Sequence, residues 1–208
     1  MNETAEKIGL HNAPFENATG LPHPEHKISV EDLALLARRI IGEFPEFYHL
    51  FATKEFTFNG IRQGNRNPLL YSLKGADGLK TGHTSEAGFC LTGSAVRNNR
   101  RLIEVMAGLE SNKQRSEETE SLMTWGFANF DNYKFFNENQ IMAEVPVWYG
   151  TVKTVDAVVP EKVVRTIKKS GKSKYGAKII YDQPLKAPVL KGDKIGELFI
   201  TYEDETVD

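Results

Sequence analysis

Lys80, Thr81 and Gly82 stand together in the stretch GADGLKTGHTSEAGFCLTGSA, residues 75–95, where a cation, a hydroxyl and a glycine open what reads as a strand. That trio suits acyl-transfer chemistry. A lysine ammonium is a compact positive charge that holds a carboxylate. A threonine hydroxyl donates to that carboxylate or to a neighbouring serine. A glycine lets a substrate backbone come close to the strand. An edge strand can also take an extended peptide into its sheet, and one of its N–H groups can serve in an oxyanion hole. The plainer reading of Lys80 is a solvated lysine at the start of a strand.

The elements that must hold these residues are legible around them. AGFCLTGSAV and RLIEVMAGL are apolar runs joined by RNNR, and Asn98 and Asn99 tolerate the positive φ of a tight turn. Residues 79–109 therefore read as an antiparallel set of strands, the first of which carries Lys80. EFTFNGI places Phe56, Phe58 and Ile61 about Asn59-Gly60, a hairpin signal. SNKQRSEETESLMTWGFANF reads as a helix with Leu122, Met123, Phe127 and Phe130 on its core side and acids in its first half, where they suit the dipole. Upstream, Ser29 is the expected N-cap of a helix, with Asp32 at the capping-box position. Leu33, Leu36, Ala37 and Ile40 follow at helical spacing, and Gly42 and Pro45 stop it. FPEFYHLF reads as a second short helix or turn. Residues 1–30 are turn-rich, an ordered loop with Phe15 and Leu21 as its anchors.

From Asn137 the helical period gives way to short β-rich runs, AEVPVWYG, KVVRTI, AKIIY and GELFITY. The expected organisation is α+β, with residues 1–137 forming an antiparallel sheet with packed helices and residues 138–208 a small all-β, sandwich-like domain. KKSGKSK reads as a solvated hairpin tip, with contact to an anionic polymer or lipid surface as the alternative.

Bulk properties narrow the function. A formal net charge of −2 over 208 residues gives no electrostatic reason to expect nucleic acid. No run approaches the ~20 apolar residues of a membrane span, and the first residues lack the apolar core of a signal peptide. Cys90 is the single cysteine, which excludes an intrachain disulfide and a multi-cysteine metal site; it reads as a small buried hydrophobe. His23, Glu25 and His26 lack a further ligand, so no metal is expected there.

The stretch DGLKTGHTSEAGFCLTGSAVRNNRRLIEVMAG resembles the low-molecular-mass penicillin-binding proteins, the serine-type D-alanyl-D-alanine carboxypeptidases. The likeness extends through NATGLPHPEHKISVEDLALLARRII, FPEFYHLFATKEFTFNGIRQGNRNPLL and SEETESLMTWGFANF to VPVWYGTVKTVDAV and PLKAPVLKGDKIGEL, nearly the whole chain. The superfamily's motif set comprises a Ser-x-x-Lys, a second serine triplet and Lys-Thr-Gly. The resemblance implies a partial transpeptidase-like catalytic domain followed by the β domain. It implies that Lys80 binds the substrate's terminal carboxylate and tunes the second-motif serine, and that Thr81 hydrogen-bonds the same carboxylate. Gly82 leaves room for the peptide, and the His83 backbone N–H completes the oxyanion hole. Arg115 matches an arginine that helps balance the carboxylate; its plainer reading is a helix-surface residue pairing with Glu118. The implied partners are the peptidoglycan stem peptide and β-lactam antibiotics, in cell-wall synthesis outside the cytoplasmic membrane, with a membrane-associated parent and no cofactor.

One departure matters more than the match. No serine here is followed by lysine three residues on or by asparagine two residues on. The expected identity is therefore a C-terminal part of such an enzyme, without the nucleophile, inactive by itself and prone to aggregate through uncovered apolar surface. A non-catalytic peptidoglycan-binding or scaffold protein is the alternative. A β-lactamase relative would share Lys-Thr-Gly, but the appended β domain and GLPHPEHK argue against it.

Overall fold

Asn98 and Asn99 take φ values of 50° and 61°, left-handed backbone that asparagine tolerates. They turn β4 (Gly88–Arg97) back onto β5 (Arg100–Leu109), with Arg97 opposite Arg100. On its other side β4 pairs antiparallel with β3 (Ala76–Thr84), so the central sheet runs β3-β4-β5. These strands belong to a computed structural model that describes residues 1–181, 183–203 and 205–207. It consists of two compact units, 1–128 and 129–208.

In the first unit α1 (Asn2–Lys7) precedes a long loop, then come α2 (Val30–Glu43) and α3 (Pro45–Tyr48). A 3₁₀ turn (His49–Ala52) leads into the hairpin of β1 (Glu55–Phe58) and β2 (Ile61–Gly64). Asn59 and Gly60 have φ of 50° and 74°, as the Asn-Gly signal requires. Next follow α4 (Leu69–Ser72), the sheet, and α5 (Asn112–Asn129). Leu69, Leu73, Leu91, Ala95, Met123 and Phe127 form one core; Ala37, Tyr48 and Leu79 form another beside α2.

Three local expectations need correction. Ser29 does cap α2, accepting from the Asp32 N–H at 3.0 Å. The Asp32 carboxylate instead accepts from His11 N at 3.3 Å and Asn12 N at 2.6 Å, so it ties down the long loop. Leu21 is 66% exposed, because Asn17 Oδ1 gathers the N–H groups of Thr19, Gly20 and Leu21 into a local turn. The loop is anchored by Leu10 and Ala13, with Phe15 packed against them. On α5, Leu122 faces out, and the buried row is Arg115, Thr119, Met123 and Phe127. Each of these follows the last by four residues, the spacing of one helix face.

Among the described residues the second unit is built of strands, with one 3₁₀ turn at Lys172–Lys174. It contains β6 (Phe130–Phe136), β7 (Ile141–Trp148), β8 (Thr154–Val158) and β9 (Val163–Lys168). β10 (Tyr175–Tyr181), β11 (Leu185–Lys186), β12 (Gly196–Tyr202) and β13 (Glu205–Thr206) complete it. They form the groups β6-β9, β11-β7-β8 and β10-β12-β13 around Val159, Val163 and Ile200. The units divide ahead of the textural change at Asn137, because β6 pairs with β9. In the basic connection after β9, Lys174 pairs with Glu203 and Lys172 lies 4.4 Å from the Tyr133 ring.

Candidate functional site

β3 lies at one edge of its sheet. Its period of two puts Lys80 in solvent and Thr81 in the interior, 9% exposed. Gly82 is exposed and stands opposite Cys90 on β4. His83 stands opposite Phe89, and their rings lie 4.1 Å apart. The Lys80 ammonium donates to its neighbour's carbonyl, Thr81 O, at 2.6 Å. Among the described residues no carboxylate pairs with it.

Two packed features fix the start of β3. Gly78 lies so close to α3 that a Cβ there would fall 2.5 Å from the Tyr48 hydroxyl oxygen. Beside it, Arg101 Nη1 donates to Asp77 Oδ1 at 2.8 Å and to Ser94 Oγ at 2.5 Å, and the guanidinium lies 5.0 Å from the Tyr48 ring. Burial, with the Asp77 charge adding, pushes the Tyr48 phenol up to about 12.

Arg115 is brought to the same neighbourhood from α5. It is 7% exposed, its Nη2 donates to Asn112 Oδ1 at 2.7 Å, and its guanidinium lies 5.6 Å from the Phe89 ring. It forms no pair with Glu118; its Nε is buried without a partner. Burial lowers its affinity for its proton, the Cys90 side chain opposes that, and the nearby Arg66 charge adds to it.

Arg66 is the residue that sequence reasoning missed. It sits exposed in the Asn65-Arg66-Asn67 turn between β2 and α4. The available signal was an arginine bracketed by asparagines with no acid nearby in sequence. Among the described residues no ion pair joins a carboxylate to either arginine, and unneutralised positive charge of this kind favours an anion.

Cys90 is half-buried rather than wholly buried. Its thiol donates to Ala87 O at 3.3 Å. His23 Nδ1 accepts from Glu25 N within a local turn, and His26 Nδ1 accepts from Glu16 N ten residues away, bracing the loop. Among the described residues no three His, Cys, Asp or Glu side chains cluster as a metal site would need.

Residues 1–111 match the family model described as D-alanyl-D-alanine carboxypeptidase. The chain belongs to the D-alanyl-D-alanine carboxypeptidase family. Residues 130–208 of this carboxypeptidase-family chain match the C-terminal domain of penicillin-binding protein 5. It is 39% identical over 209 residues to the D-alanyl-D-alanine carboxypeptidase DacD of Escherichia coli K12, covering 100% of this chain and 54% of that protein. Penicillin-binding protein 5 from Haemophilus influenzae superposes with a TM-score of 0.88 at 36% identity, over 100% of this chain and 61% of that one. Penicillin-binding protein D2 from Listeria monocytogenes, solved in a cefotaxime-bound form, gives 0.56 at 35% identity over 61% of this chain and 53% of its own. The chain thus spans about half the length of the curated relative it matches.

Proposed function

We propose that this chain supplies the carboxylate-binding wall of a serine-type D-Ala-D-Ala carboxypeptidase of peptidoglycan biosynthesis, working outside the cytoplasmic membrane. The observation that carries the reading is the set of cations that have no carboxylate partner among the described residues, Lys80 on an edge strand and Arg66 beside Arg115. In this reading Lys80 and the two arginines hold the C-terminal carboxylate of a stem peptide. Gly82 admits the peptide backbone and the His83 N–H faces the scissile carbonyl oxygen, while the Thr81 hydroxyl, turned to the interior, lies on the other face of the strand from Lys80. A serine hydroxyl attacks that carbonyl, D-alanine leaves as the amine, and water then cleaves the acyl ester. β-Lactams would occupy the same wall.

The serine is the piece this sequence lacks, since it contains neither Ser-x-x-Lys nor Ser-x-Asn. The 208-residue chain is therefore a receptor surface without a nucleophile, inactive by itself. The test is incubation with fluorescent penicillin and with a peptide ending in D-Ala-D-Ala. The expected result is no covalent label, no released D-alanine, and reversible peptide binding that Lys80→Gln abolishes. A covalent adduct on this chain, or peptide binding indifferent to Lys80→Gln, would overturn the reading.

A further inference from the structure

The Asn65-Arg66-Asn67 turn is held by both of its asparagines. Asn65 Nδ2 donates to Phe51 O at 3.2 Å and to Thr53 O at 3.0 Å, and its Oδ1 accepts from Asn67 N at 3.0 Å. Asn67 is 1% exposed. Its Oδ1 accepts from Leu69 N at 3.1 Å, at the start of α4, and its Nδ2 donates to Gly78 O at 2.9 Å. One amide therefore joins the turn carrying Arg66 to the strand carrying Lys80, two residues before that lysine.

We infer that Asn67 is a positioning residue: its amide locks the Arg66 turn to β3, so that the guanidinium and the Lys80 ammonium are presented as one preformed anion site. The inference rests on the carboxylate-binding reading of that site. The physical need is clear. Long cationic side chains give tight anion binding only when the backbones carrying them are fixed beforehand, because ordering them on binding costs affinity. The link is directional as well. The oxygen side of Asn67 serves the local turn into α4, and the nitrogen side alone reaches β3. Asn67→Asp keeps the acceptor for Leu69 N–H but sets a carboxylate oxygen against Gly78 O. Protonation of that carboxyl restores a donor and therefore the link.

The experiment uses the whole chain with N-acetyl-D-alanyl-D-alanine as probe, followed by NMR. At about pH 7.5, Asn67→Asp should raise the Kd roughly tenfold over the unchanged chain, and the gap should narrow as pH falls to about 4, where an ordinary aspartate takes up its proton. A purely structural role would not give this acid rescue. Asn67→Ala should be weak at both pH values, and near-ultraviolet circular dichroism confirms that each variant is folded. If Asn67→Asp and Asn67→Ala bind like the unchanged chain while Arg66→Gln and Lys80→Gln lose the probe, the positioning role is wrong and the site stands. If Arg66→Gln and Lys80→Gln also bind like the unchanged chain, or it binds no probe at all, the site reading fails. Backbone ¹⁵N relaxation at Arg66 and Lys80 then decides the inference alone. Mobility gained at both positions in Asn67→Asp, and lost again in acid, supports it; unchanged relaxation overturns it.

Discussion

Asp77 grips Arg101 with both carboxylate oxygens, Oδ1 from Nη1 and Oδ2 from Nη2, each at 2.8 Å. This two-point contact fastens the start of β3 to β5 across the intervening β4. Both side chains keep over a quarter of their surface in water, 27% for Asp77 and 29% for Arg101, so their worth falls between that of surface and buried pairs. Arg101→Met should cost about 2 kcal/mol, because it leaves the Asp77 carboxylate with the Tyr48 hydroxyl as its remaining donor. Urea unfolding of the single and double variants with Asp77→Asn would give the coupling.

Glu104 provides a pH signature. It is 7% exposed, neither carboxylate oxygen finds a partner among the described residues, and burial pushes it up to about 8. The folded chain thus holds this proton more tightly than the unfolded chain does. The contribution to stability is fully present below the unfolded value near 4.5 and is lost as pH rises through about 8. Between those limits the slope from this group is about 1.4 kcal/mol per pH unit, several kcal/mol in total. Unfolding free energies of Glu104→Gln should lack that slope, and the variant should gain relative to the unchanged chain as pH rises.

Gly78 and Tyr48 should couple in a double-mutant cycle. A methyl on Gly78 would sit 2.5 Å from the phenolic oxygen and 3.1 Å from Cζ. Gly78→Ala should cost about 2–3 kcal/mol by overpacking. Tyr48→Phe removes the nearer atom and should return about 1 kcal/mol of that cost. Additive losses in thermal melts would count against the close approach.

Asp32 should matter more than Ser29 despite their proximity. Ser29→Ala removes one cap and should cost about 1 kcal/mol. Asp32→Ala strands the N–H groups of His11 and Asn12 and should cost about 2–3 kcal/mol. Proteolysis within residues 8–28 should also quicken for Asp32→Ala alone.

The sequence revealed what local chemistry dictates. Asn59-Gly60 and Asn98-Asn99 announced their turns because left-handed backbone selects those residues. The β-rich runs after Asn137 became strands because their β-branched and aromatic side chains fit a pleated, half-buried surface. Asp32 misled because a carboxylate at the capping-box position is free to choose distant N–H groups, and those of His11 and Asn12 lie twenty-one and twenty residues away. Leu122 reads as inward on apolarity alone, although Arg115 and Thr119 continue the row that Met123 and Phe127 define. At the site, Lys80 and Thr81 were legible through their motif. Arg66 was not, since its meaning arises only where the turn before α4 meets the start of α5. Glu104 stayed hidden because nothing in RLIEVMAGL marks which strand position lacks water.

Cys90, alone of its kind in the chain and set on β4 opposite Gly82, gives experimenters a ready-made handle. A single maleimide dye or spin label would report from beside the lysine strand without any engineered mutation. Because that thiol is half-covered, its labelling rate would also clock how often the strand end breathes.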